Sequence, residues 1–337
     1  MELIRLAEII PESRPSVFWT MLRQLGVTEA VGVLPRSPMD WRRVTIDNPW
    51  DYTPLAVYKQ MVEEEGLTLT AIEDNPPMDR LRYGVAGAEE EFDQVCQFVE
   101  NLGKLQIPIW CYNWAAAINW QRSSSRVRGR GGAIVSGYDH NLVGANPPPL
   151  MGPIDADTLW RTLENFLKRI VPVAEKAGVK LALHPDDPPI LPEIRGVARI
   201  MNNVDAFYRL MDLVPSEANG VTLCQGNFTL MTSDLPLVIH ELGSMGRVYF
   251  VHFRDVRGTP EKFVETFIDE GQTDMAQCMR AYRDISFDGI MRSDHTPTLA
   301  GDDAEVPGYS TYGRLHAIGY MAGLRDAVLS ESQGTAV

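Results

Sequence analysis

Eight short apolar runs, each followed by a segment of helical periodicity, constrain this 337-residue chain more than any other feature. The runs fall at residues 3–8, 30–34, 67–73, 107–113, 179–185, 220–226, 247–255 and 289–294. Apolar runs bounded by polar turn residues read as strands buried on both faces, as in a parallel sheet. Helical patterns lie at 16–25, 54–65, 88–102, 156–177, 204–213, 234–242, 274–283 and 312–328. Two of them end on glycines placed as helix stops, Gly66 and Gly178. Eight strands alternating with eight helices predict an α/β fold of the (β/α)8 kind, a TIM barrel. No linker or shift in composition divides the chain, so residues 1–329 read as one domain.

Four of the later runs end in residues of metal-ligand grade. They are LALHPDD with His184, VTLCQGN with Cys224, YFVHFRD with His252, and GIMRSDH with Asp294 and His295. In a barrel, the C-terminal strand ends converge on one mouth, where the chemistry sits. Two imidazoles, a thiolate and a carboxylate gathered there would bind a divalent transition metal. The bland alternatives are a structural histidine and a small buried cysteine. Only six histidines are present, and three of them fall at predicted strand ends. His240 and His316 lie within helical patterns and take the structural reading. The PDDPP run breaks its strand at once and leaves His184 at the mouth. Alternation points His252 inward together with Arg254. Asp294 and His295 are adjacent, so on an extended strand one would ligate while the other reaches across the site.

A second tier of candidates surrounds these. Arg254 either binds a substrate oxygen or pairs with an Asp at the rim. Asn113, Trp120 and Arg122 lie at or just past the fourth run and would line the pocket, although a Trp there is otherwise core. Asp186 and Asp187 either orient His184 or sit in a solvated turn. Glu73 closes the third run, in contact with the metal or one step behind it.

One stretch does not fit a compact loop. Residues 114–153 are rich in Arg, Ser and Gly, and loops this long are usually functional or disordered. We read them as an insertion, with a small hairpin around 131–137, that is either a surface excursion or a lid or dimer arm over the mouth. Residues 330–337 lack apolar periodicity and read as a frayed tail.

Net charge is −14, which repels phosphate backbones and excludes nucleic acid as an expected partner. An anionic small substrate would therefore need local Arg groups and a metal. The four cysteines are widely spaced, without a CxxC pair, so disulfide and zinc-finger frameworks are not expected. No basic-apolar leader and no run long enough to span a bilayer are visible. A reducing, cytoplasmic setting follows as an expectation.

HPDDPP, CQGN, HFRDV, ETF…GQTDM and RSDH followed by PGY resemble the mannonate dehydratase family. CYNW…INWQR, at 111–122, is similar to the family's segment after its fourth strand. The resemblance runs through most of the chain and is strongest from 181 to 309. It implies a xylose-isomerase-like TIM barrel that converts D-mannonate to 2-keto-3-deoxy-D-gluconate with Mn²⁺ or Fe²⁺. It also implies a homodimer and hexuronate catabolism. Residue by residue, His184, Cys224, His252 and Asp294 match the family's metal ligands. His295 and Tyr309 match its proton-transfer groups. Between 296 and 308 the sequence carries no structural signal, so Tyr309 either folds back over the mouth or points away.

Dehydration of a sugar acid needs a base for the proton alpha to the carboxylate, an acid for the departing hydroxyl, and a cation for the charge that builds up. Which of His295 and Tyr309 is base and which is acid stays open. A thiolate favours softer metals, so Mn²⁺ rests on the resemblance alone. The family usually carries a His in the stretch that here reads EDNPPMD, and often another near Ile268. Both are missing, which opens the substrate to a related aldonate. Two rivals remain. One is a metal-dependent sugar isomerase or epimerase on the same barrel, and the other is a non-catalytic sugar-acid sensor. A mouth rich in His and Cys without a late Lys speaks against the first. Retention of the full ligand and proton-transfer set speaks against the second.

Overall fold

The computed structural model describes residues 3–36, 47–143, 146–189, 192–302 and 306–331. All eight expected strands form, and they close into a parallel barrel in sequence order. They are Arg5–Ile10, Glu29–Gly32, Thr68–Glu73, Ile109–Tyr112, Lys180–Leu183, Asn219–Cys224, Val248–His252 and Ile290–Arg292. Arg5–Ile10 pairs with both Glu29–Gly32 and Ile290–Arg292, which completes the ring. The strands are short and buried on both faces, as their unbroken apolar runs require.

The outer helices follow from amphipathic spacing. Ala156–Ala177 buries Leu159, Leu163, Phe166, Ile170 and Ala174 along one stripe. The Asp155 side chain accepts from the Thr158 N–H at its start, and Gly178 ends it in a left-handed conformation at φ 71°. A large apolar cluster fills the layer between helices and strands. A smaller one, with Ala7, Val31, Ile109, Ala182, Phe250 and Ile290, plugs the barrel. The site rests on this plug: the Phe250 ring meets the His252 ring edge-on at 4.7 Å.

Register places the chemistry at one level. Cys224 pairs with His252, His252 with Arg292, and Glu73 with Cys111. Glu73, Cys224, His252 and Arg292 end their strands and Cys111 lies one residue from its end, so their side chains meet at the C-terminal mouth.

Residues 114–153 contain the expected hairpin, Ser124–Arg128 with Ile134–Asp139, joined by a 3₁₀ turn at Arg130–Gly132. Residues 144–145 lie outside the described residues. A second hairpin, Val256–Thr259 with Lys262–Glu265, follows the seventh barrel strand. The two associate as a four-stranded antiparallel sheet through Lys262–Glu265 and Ile134–Asp139. The seventh run, expected over 247–255, therefore stops as a barrel strand at His252 and restarts in the second sheet at Val256.

The last helix, Thr311–Glu331, runs past the expected start of the tail. Arg280 and Arg283 hold Glu331 at 2.8 and 3.1 Å, which secures the final turn. The rest of that tail, 332–337, lies outside the described residues. None of the described helices is long and apolar enough to cross a membrane.

Candidate active site

A cavity of about 360 Å³ opens at the barrel mouth, with Glu73, Asn113, Trp120, His184, Asp294, His295 and Tyr309 in its wall. Donor atoms from the ends of four barrel strands converge beside it. His184 Nε2 lies 3.2 Å from His252 Nδ1. Cys224 Sγ lies 3.6 Å from Asp294 Oδ2, which is also 3.6 Å from His252 Nδ1. Ligand atoms of the group His184, Cys224 and His252 all lie within 4.8 Å of one another. Ligands bonded to one divalent cation at 2.0–2.3 Å are separated from each other by about 3–4 Å. The spacing and the N, S and O donor set thus fit such an ion.

These candidate donors are held from behind. His184 Nδ1 contacts the Pro185 carbonyl at 2.7 Å, which turns Nε2 toward the site. Asp186 and Asp187 do not orient His184, and they are not a solvated turn either, since both are buried. Asp186 accepts from the Met201 N–H, and Asp187 receives Arg122 and Arg254. Burial alone would raise the Asp187 carboxyl, but these two guanidiniums hold it far below the usual carboxylate range.

Glu73 touches the site through His252, with Oε2 at 3.3 Å from Nε2. Arg292 clamps both Glu73 oxygens, at 2.6 and 2.8 Å. Burial works against the Glu73 charge, yet Arg292 and His252 hold its pKa at about 2. Glu73, Cys111 and His252 form a second close group. There the carboxylate is already committed to Arg292 and the Cys111 thiol accepts from Thr222 at 3.1 Å. Burial pushes that thiol well above its ordinary pKa.

Asp294 is gripped on both sides. Arg254 Nε lies 2.5 Å from Oδ2, and Arg292 Nη2 lies 3.0 Å from Oδ1. Desolvation would raise its pKa, but His295 and the two arginines keep it well below the carboxylate norm. Asp294 departs from the expected extended geometry. The strand ends at Arg292, and Asp294 sits at φ +60°. A non-glycine residue in the left-handed region marks a constrained site. The turn sends Asp294 and His295 into the same cavity rather than to opposite sides.

His295 and Tyr309 come together there, with ring centroids 5.5 Å apart. Tyr309 folds back over the mouth, and its hydroxyl lies 3.3 Å from Asp294 Oδ1. Burial and the Asp294 charge push its phenol far up. Trp120 stands 5.5 Å from His295 on the other side. Asn113 lines the cavity, with Oδ1 receiving Arg82 at 3.1 Å.

Two candidate substrate contacts are instead paired with carboxylates, which for Arg254 is the second of its two expected roles. Arg254 is buried, and its Nε, Nη1 and Nη2 are spent on Asp294, Glu265, Asp187 and Asn227. Arg122 is spent on Asp187 and Glu265, at 2.5 Å each. Neither lines the cavity; each instead compensates buried carboxylates. Among the described residues no Lys or Arg lines the cavity. The local Arg groups expected for an anionic substrate are therefore one layer behind the wall.

Sequence reasoning missed Arg292 and Glu265. Arg292 carried a signal: a charge inside an apolar strand is rarely buried without a partner. Glu265 carried none, because only the packing of the second hairpin brings it to His295. Of the two departures, Glu73, Asp74 and Asn75 line the cavity, whereas Ile268 is buried in the outer core. His240 and His316 lie away from the cavity, facing Asp284 at 4.0 Å and Phe267 at 5.6 Å.

A family model described as D-mannonate dehydratase matches residues 12–152 and 149–334. A mannonate dehydratase of Thermotoga neapolitana is 30% identical, covering 94% of this chain and 95% of that one. One from Enterococcus faecalis is 31% identical, covering 91% and 92%. A solved mannonate dehydratase from Streptococcus suis serotype 2 superposes with a TM-score of 0.89 at 26% identity, covering 99% of this chain and 95% of that one. An L-ribulose 3-epimerase structure, at 13% identity and a TM-score of 0.62, shares the fold alone.

Proposed function

Because this chain belongs to the D-mannonate dehydratase family, we propose that it removes water from D-mannonate to give 2-keto-3-deoxy-D-gluconate, using Mn²⁺ or Fe²⁺. One observation carries the reading. His184 and Asp294 line the same cavity as His295 and Tyr309, and Cys224 and His252 stand directly behind them, with donor atoms 3.2–3.6 Å from theirs.

His184, Cys224, His252 and Asp294 would hold the metal. When bound, a divalent cation stabilises the charge that builds on the substrate carboxylate as the C2 proton leaves. The absence of Lys and Arg from the described cavity wall supports that division of labour, since no side chain there neutralises the carboxylate. Tyr309 stays protonated, because burial and Asp294 both disfavour its phenolate. Its place beside His295 on the cavity wall, rather than its acidity, assigns it the proton given to the departing hydroxyl, which leaves as water. His295, on the same wall, takes the C2 proton. Asn113 and Trp120 supply a neutral face for the polyol tail. Arg254 and Arg122 keep the surrounding carboxylates ionised and in place.

We read residues 1–329 as one domain with 114–153 as an inserted lid. We also read the chain as a cytoplasmic homodimer, an expectation that the family supports and that four free cysteines fit. A second reading is a related aldonate as substrate. It is favoured by Asp74 and Asn75 on the cavity wall, in the stretch that departs from the family pattern.

The test is turnover by metal-stripped protein reloaded separately with Mn²⁺, Fe²⁺ and Zn²⁺. Metal-dependent 2-keto-3-deoxy product from D-mannonate is the expected result, and it ranks the metals. Stoichiometric metal with no product from D-mannonate, but product from another aldonate, selects the second reading.

A further inference from the structure

We propose that Glu265, delivered from the antiparallel sheet beside the barrel, is the positioning residue that fixes the ring of His295 for proton transfer. The inference rests on the dehydratase reading for what His295 does, but its geometry stands apart from it.

Glu265 ends the strand Lys262–Glu265, whose register is set by pairing with Ile134–Asp139. Its side chain is buried, and Oε1 lies 3.2 Å from His295 Nδ1. Arg122 reaches the same oxygen at 2.5 Å, and Arg254 reaches Oε2 at 2.9 Å. Burial alone would favour the neutral acid, but these guanidiniums outweigh it and hold Glu265 ionised, at about 2. An ionised carboxylate only accepts, so the hydrogen on the facing ring nitrogen must sit on Nδ1. That leaves Nε2, 3.7 Å from Asp294 Oδ1, turned into the cavity as the nitrogen that exchanges a proton. The ring is further confined between Trp120 and Tyr309, with centroids 5.5 Å from each.

Glu265 does not line the cavity and touches no reacting atom. It acts through His295, as a buried carboxylate that selects a tautomer and stabilises the imidazolium that forms. The antiparallel sheet thereby supplies a group the barrel strands lack.

The first measurement uses wild-type, Zn²⁺-loaded protein with ¹⁵N-labelled histidine. The His295 ring should show its hydrogen on Nδ1; a hydrogen on Nε2 with Nδ1 bare overturns the proposal. The second is Glu265→Gln. Its kcat should fall by about 100-fold or more, with KM and metal stoichiometry held within about twofold. Unchanged kcat, or a loss of bound metal that accounts for the fall, overturns the proposal. Should the variant not fold, the wild-type ring signature decides alone. A wild-type enzyme that turns over no aldonate would sink the dehydratase reading while leaving the ring measurement interpretable.

Discussion

His184 Nε2 and His252 Nδ1 face each other at 3.2 Å across the barrel mouth. Two imidazole nitrogens stand at that separation when one donates to the other or when both serve a common cation. His184 has already turned its Nδ1 to the Pro185 carbonyl, which leaves Nε2 as its free lone pair. Chelation should therefore lower the melting temperature, and re-addition of metal at 100 times its Kd should restore about 2.7 kcal/mol. Thermal melts with and without chelator check this.

Cys224→Ala should lower metal content together with rate. The sulfur faces Asp294 Oδ2 at 3.6 Å and is grouped with His184 and His252 as a close donor set. Elemental analysis after dialysis reads the outcome. Full occupancy in the variant would remove Cys224 from the ligand set.

Tyr309→Phe should spare metal binding and lower kcat by about 100-fold or more, the ordinary range for a lost general acid. Its hydroxyl lies 3.3 Å from Asp294 Oδ1 while its ring stays packed on His295. Steady-state kinetics on metal-replete protein separate the two effects.

Arg254→Gln should act on stability rather than on KM. Removing one partner of a buried ion pair costs about 3–5 kcal/mol. Here the guanidinium serves Asp187, Glu265 and Asp294 together. Urea unfolding measures the loss. A raised KM with unchanged stability would return Arg254 to the substrate-binding role.

Gly226→Ala should also destabilise, although alanine is the better helix former. A Cβ on Gly226 would stand 2.3 Å from Arg254 Nη1, a group with no room to withdraw. Overpacking of this kind costs about 1–3 kcal/mol, read from the same unfolding curves.

Acid should weaken the fold in part through Glu265, which shares its lowered pKa with the buried carboxylates of Glu73, Asp187 and Asp294. Its pKa is depressed from 4.5 to about 2 in the fold, so its contribution is complete above pH 4.5 and is lost as pH falls toward 2. Within that window the slope should approach about 1.4 kcal/mol per pH unit. Stability against pH in wild type and in Glu265→Gln isolates the contribution, which the variant should lack.

The eight strands and their His- and Cys-bearing ends were legible because burial writes itself into local sequence. A parallel strand covered on both faces must be continuously apolar, so LALH, VTLC and YFVH announced both strand and terminus. The second sheet was less legible. Val256–Thr259 and Lys262–Glu265 carry short, half-polar patterns that make sense only once paired with Ile134–Asp139. The partners of Arg254 and Arg122 were illegible for a related reason. A charge near a strand end reads alike whether it meets a ligand or a buried carboxylate, and the sequence does not say which carboxylates lie behind the wall.

By itself, then, the sequence determined the barrel, the order of its strands and the identity of four residues at its mouth, since each depends on periodicity within about ten neighbours. Only the tertiary structure decided where charge is compensated. Glu265 meets His295 across 30 residues, and Arg292 meets Glu73 across 219. Electrostatic partners are chosen by distance in space and by the low polarity around them, and neither is encoded in local spacing.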